Sequence, residues 1–72
     1  MIKIKDRDGT SVITDVYAIT YVSLRSYGGR RHSEWNLVVG MSYGAELYLQ
    51  FDKKAKAIKA RDKILAAVKE VN

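Results

Sequence analysis

EWNLVVGMSYGAELYLQFDKKAKAIKARDKI, residues Glu34 to Ile64, changes its hydrophobic period once, and that change decides the fold. Before Asp52 the apolar residues alternate. Trp35, Leu37, Val39 and Met41 share one side of a strand over 34–41, and Ala45, Leu47, Leu49 and Phe51 share one side of a strand over 45–51. Ser42-Tyr43-Gly44 supplies the turn between them. Asp52 is a helix N-cap residue type, and the good helix formers that follow, with no Gly or Pro, predict a helix over 53–71. At about 100° per residue, Ala57, Ile58, Ala60, Ile64, Leu65, Val68 and Val71 form one broad apolar stripe. That stripe is expected to cover Trp35, Leu37, Val39, Leu47, Leu49 and Phe51.

Working outward toward the N-terminus, Ile2 and Ile4 alternate with Lys3 and Lys5, which predicts a strand over 2–6. Asp6-Arg7-Asp8-Gly9 reads as the turn into a second strand over 10–14. The β-branched and aromatic run DVYAITYVSLRSY predicts a third strand over 16–25, with Asp15 at a bend or bulge before it. The expected fold is α+β: an antiparallel sheet of four or five strands packed on one C-terminal α-helix, a single domain over 1–72. Strict alternation turns Val16, Ala18, Thr20, Val22 and Leu24 toward the helix. It sends Tyr17, Ile19, Tyr21, Ser23 and Arg25 to the other face, with Asn36, Val38, Glu46, Tyr48 and Gln50.

A chain of 72 residues supports one core, and at this size roughly 60% of the unfolded surface is buried. There is no cysteine and one histidine, so neither disulfides nor a thiolate zinc site reinforces that core, and no metal or other cofactor is expected. Packing and self-association remain, and a homo-oligomer is expected. The outer face, with Tyr17, Ile19, Tyr21, Val38 and Tyr48, is too apolar to be left to water. Its cover is read as a second copy of the chain, and the competing reading is a platform of Tyr17, Tyr21 and Tyr48 on which bases stack. The MIKIKDRDG start has neither the long apolar run of a membrane span nor that of a signal peptide, so no membrane partner and a cytoplasmic location are expected.

Thirteen Lys and Arg against 8 Asp and Glu give a formal charge of +5, which favours anionic partners. The segment YGGRRHSEW, residues 27–35, carries the most suggestive chemistry. Gly28 and Gly29 permit close backbone approach, Arg25, Arg30 and Arg31 can grip phosphate or carboxylate as forks, and Tyr27 can stack on a base. It matches no glycine-rich phosphate motif and connects two strands, so a plain hairpin tip is the alternative. His32 beside Ser33 is no catalytic pair, since neighbours on a strand point apart. Asp6 and Asp8 before Gly9 lack the remaining ligands of a calcium loop. Lys56, Lys59 and Lys63 lie opposite the apolar stripe, as a solvated ridge or as an anion contact. Arg61 falls within the stripe, as a buried charge in need of a partner or as a stem on the sheet with its head in solvent.

The DG hairpin, YAITYVSL, WNLVVGM and LYLQFDKKAKAIKARDKI together resemble small bacterial and phage proteins built from a β-meander and a C-terminal helix. Some phage proteins of this size inhibit host defence by binding a protein or sequestering a nucleotide signal, and the resemblance implies that kind of role. Two functions are therefore expected. The first is a non-catalytic, self-associating protein that binds a nucleotide or nucleic acid through arginines and tyrosines. The second is an inhibitor or adaptor that contacts an acidic protein partner with the same residues.

Overall fold

Ile2 and Ile4 are buried from β1 (Ile2–Asp6), which in a computed structural model pairs antiparallel with β2 (Gly9–Ile13). The structure describes residues 1–27 and 34–71, Tyr27 and Val71 through their backbone alone. Gly9 closes the hairpin at a φ of 140°, a conformation costly for a side chain. One Asp6 carboxylate oxygen accepts the amides of Asp8 and Gly9, each at 3.0 Å. The other accepts the Gln50 amide at 3.1 Å, so the residue that forms the turn also ties the hairpin to a later strand.

That later strand belongs to a separate sheet. A 3-10 turn over Val16–Ala18 leads into β3 (Ile19–Tyr27), followed by β4 (Glu34–Met41) and β5 (Glu46–Phe51), paired antiparallel in the order β3-β4-β5. The class is α+β as expected, but the five strands form a two-stranded and a three-stranded sheet instead of one. Between β2 and β3 the Asp15 carbonyl accepts the Ala18 amide at 2.9 Å, and the Asp15 carboxylate accepts the Tyr43 hydroxyl at 2.7 Å. The first of these bonds closes the 3-10 turn over residues expected to begin the third strand, and β2 and β3 do not pair. The hairpin instead meets β5, where the Arg7 amide donates to the Gln50 carbonyl at 2.8 Å.

The register in β3 also departs from simple alternation. A bulge between Ile19 and Tyr21 turns Ile19 onto the core beside Val22 and Leu24, and leaves Thr20 exposed, its hydroxyl donating to the Gly40 carbonyl at 3.1 Å. Ile19 therefore leaves the outer face and Thr20 leaves the helix-facing set. Val16 and Ala18 are buried as expected, through the 3-10 turn.

The helix α1 (Lys54–Val71) buries Ala57, Ala60 and Ile64 against Ile2, Ile4, Leu37, Val39, Leu49 and Phe51. Ile64, Leu37, Val39 and Leu49 are wholly shielded from water, worth roughly 1.5–3 kcal/mol each in burial. Ala57 and Ala60 add little side-chain bulk to the helix face that meets the sheet. The Lys54 ammonium sits 5.2 Å from the centre of the Trp35 ring, a cation–π contact at the helix start.

Val38 corrects the expected outer face. It stands between Ser23 and Tyr48 in the register, outside the helix-side core, yet it has no exposed surface. The single chain covers its own most apolar outward residue. Among the described residues no polar or charged residue is classed as buried.

Candidate functional site

Lys3 and Lys5 alternate with the buried isoleucines of β1, and Lys56, Lys59 and Lys63 occupy the flank of α1 that the helical period turns away from the core. Packing sets these two groups against each other. They line an open cleft of about 220 Å³ whose floor is Ile4, Phe51 and Ala60. Among the described residues no carboxylate lines it. The Lys63 ammonium donates to the Lys3 carbonyl at 2.9 Å, fixing the helix flank to β1 and leaving two further donors on that nitrogen. At one end, past Lys5, Phe51 and Lys56, lies a second hollow where Asp6, Arg7 and Asp52 mix the charge. Asp52 reaches the Lys56 ammonium at 3.7 Å there. The lysine-only field is thus bounded on one side by carboxylates.

Phe51 is almost fully buried, so the cleft offers no ring face for a base to stack upon. Flexible, strongly hydrated ammonium groups on an apolar floor suit repeated phosphates better than one planar group needing a fork. An enclosed small-molecule site has about 300–1,000 Å³ and buries most of its ligand. This cleft is smaller and open, the shape of a track.

The outer face of the meander has another character. The Tyr21 ring lies across Gly40, where an added Cβ would fall 1.9 Å from a ring carbon. Its hydroxyl donates to Glu46, and the Tyr48 hydroxyl donates to the same carboxylate at 3.1 Å. These two hydrogen bonds, the one from Tyr21 first, hold the Glu46 carboxyl below the usual glutamate range, with Arg25 adding a weaker pull in the same direction. The same bond to Glu46 raises the Tyr21 phenol. Beside this cluster the Arg7 guanidinium donates to Glu34 at 2.7 Å and to the Gln50 side chain. Carboxylates thus sit among the tyrosines and arginines of this face.

Tyr21, Tyr48 and Arg25 lie around Glu46. Tyr17 is elsewhere, exposed on the 3-10 turn on the side of Tyr43 and Asp15. The backbone of Tyr27 ends β3. Gly28, Gly29, Arg30 and Arg31, with His32 and Ser33, lie outside the described residues. Arg61 has a side chain that is 37% exposed and reaches Asp62 at 3.4 Å, while its buried Nε has no hydrogen-bond partner among the described residues. The facing pair Lys3 and Lys5 was not singled out from the sequence as a site. Their strict alternation with isoleucines was the available signal.

Among the described residues no group of three or more His, Cys, Asp or Glu is placed to hold a metal ion, and no helix is long and apolar enough to cross a membrane. Compared with known proteins, the chain matches no family model, no curated protein and no solved structure.

Proposed function

We propose that this chain is a non-catalytic, self-associating protein that binds the phosphate backbone of a nucleic acid along the lysine cleft. The observation that carries this reading is a lining of five lysines, drawn from β1 and α1, with no carboxylate among the described residues. The net charge of +5 supplies long-range attraction of the same sign. The cleft's openness favours a polymer over an isolated nucleotide signal, because a mononucleotide would stay largely in water there. With no stacking ring in the floor, contact is to phosphates, and affinity is indifferent to base sequence.

The Glu46 cluster weighs against the Tyr21, Tyr48 and Arg25 surface as the phosphate site, since a carboxylate held ionised at its centre repels phosphate. The test is an NMR titration of the labelled protein with a single-stranded oligonucleotide of mixed sequence. The reading expects the amides of Lys3, Lys5, Lys59 and Lys63 to shift together. Shifts confined to Tyr21, Arg25 and Tyr48 would move the site to the sheet. No shift at any residue would leave the acidic protein partner as the better reading.

A further inference from the structure

The two edges of the three-stranded sheet are treated differently. The β5 edge is met by the hairpin at Gln50, through the Arg7 amide and Gln50 carbonyl and through Asp6. The β3 edge pairs only inward, with β4, over a strand nine residues long. Among the described residues nothing hydrogen-bonds to its outer side, and β3 carries no Lys or Pro to deter pairing. A long edge with these properties is a template for another strand. The bulge at Ile19 to Tyr21 distorts only its beginning, leaving the run from Tyr21 onward regular.

Partly buried Val22 and Leu24 mark the inner side of this edge, packed on the core but not closed over by it. Leu65 is nine residues from Lys56, half a turn round the helix, so it lies on the flank opposite the lysine cleft and toward β3. It is 47% exposed.

We infer that β3 pairs antiparallel with β3 of a second copy about a two-fold axis at Ser23, joining the two meanders into one six-stranded sheet. This deepens the self-association in the function proposed above, and it rests on that part of the reading alone. The choice of a second copy follows from self-complementarity. With Ser23 opposite Ser23, Val22 faces the second copy's Leu24 on the inner side, once on each side of the axis. Centring the axis on Leu24 would set Val22 against Ser26, and centring it on Arg25 would oppose two arginines. Centring it on Val22 would set Leu24 against Thr20, so only the Ser23 register gives both Val22 and Leu24 an apolar partner. Both helices then lie on one side of the sheet, and each lysine cleft sits at an outer end, away from the junction.

The absence of cysteine makes the test direct. Ser23→Cys places two thiols across the axis, at Cβ separations that a disulfide tolerates with small adjustment. Arg25→Cys, the control, places its two thiols about 14 Å apart along the paired strands. Facing thiols have an effective concentration on the order of millimolar, so at tens of micromolar protein Ser23→Cys should oxidise to a covalent dimer at least about tenfold faster than the control. Sedimentation of the unmodified protein should give twice the chain mass. A monomer, or equal cross-linking rates for the two variants, would overturn the interface. Because the readouts are mass and cross-linking, they can fail while phosphate binding succeeds, and the converse.

Discussion

The hydroxyl of Tyr21 on β3 reaches Glu46 on β5, two strands that do not pair, by laying its ring across Gly40 of the strand between them. The three residues occupy one row of the register: Tyr21 opposite Gly40, and Gly40 opposite Glu46. A side chain at position 40 would close that path. The outer face is therefore organised by the absence of a Cβ, and the fully buried Val38 lies in the adjacent row.

Gly40→Ala should accordingly change sign with its neighbour. In the unaltered protein the new methyl group displaces the Tyr21 ring, with a loss of about 1–2 kcal/mol. In a Tyr21→Ala background the same change should be neutral or stabilising by up to about 1 kcal/mol, because alanine restricts the unfolded chain more than glycine. Urea unfolding of the four proteins measures the coupling. Additive effects would mean that the ring does not depend on Gly40.

The bond between Tyr21 and Glu46 predicts a pH signature with two limbs. Glu46 is lowered, so its contribution to stability is present above about pH 4.3 and is lost as pH falls through the folded value. Tyr21 is raised, so its contribution is present below about pH 10 and is lost as pH rises through the folded value. Tyr21→Phe should weaken the acid limb, which Tyr48 partly preserves, and reduce the alkaline limb, which Tyr43 with Asp15 partly preserves. Thermal melting of both proteins from pH 3 to 11 reads this. Parallel curves would show that the bond carries no linkage.

Asp6 holds its turn and the hairpin together, so Asp6→Ala should act beyond the turn. Three amides lose an acceptor, from Asp8, Gly9 and Gln50, and the expected destabilisation is about 1–3 kcal/mol. Amide hydrogen exchange should quicken at Gln50 on β5 as well as within the hairpin. Exchange that quickens only at Asp8 and Gly9 would confine Asp6 to the turn.

Ile64 tests the packing between helix and sheet. It is wholly buried against the sheet, and Ile64→Ala should cost about 2–5 kcal/mol. Leu65→Ala, one residue further along but half exposed, should cost less than about 1 kcal/mol. Equal losses would place Leu65 in the core.

Much of this fold could be read from short stretches, because a period of two or of 3.6 is a local property. The alternation of Trp35 to Met41 and of Leu47 to Phe51, and the stripe through Ala57, Ala60 and Ile64, all arise that way. The division into two sheets was hidden because the 3-10 turn at Val16–Ala18 lies in a run whose β-branched and aromatic residues read locally as strand. Thr20 was misplaced because a bulge leaves no mark in a run where both faces hold apolar residues. The lysine cleft needed α1 to lie beside β1, and Lys63 lies 60 residues from its contact at Lys3. Sequence showed a basic ridge on the helix but not the basic strand facing it.

The central claim is that the cleft carries the binding of phosphate. It is tested most directly by the salt dependence of affinity for a fluorescent single-stranded oligonucleotide. The unaltered protein is compared with Lys56→Ala/Lys59→Ala/Lys63→Ala and with Arg30→Ala/Arg31→Ala. Four phosphate contacts would weaken binding roughly 50-fold between 50 and 200 mM salt, and removing three lysines should flatten the slope of log affinity against log salt by about 2. The account predicts that flattening for the lysine variant and a smaller change for the arginine variant. An unchanged slope in the lysine variant, with binding lost in the arginine variant, would contradict it and place the phosphate site between β3 and β4.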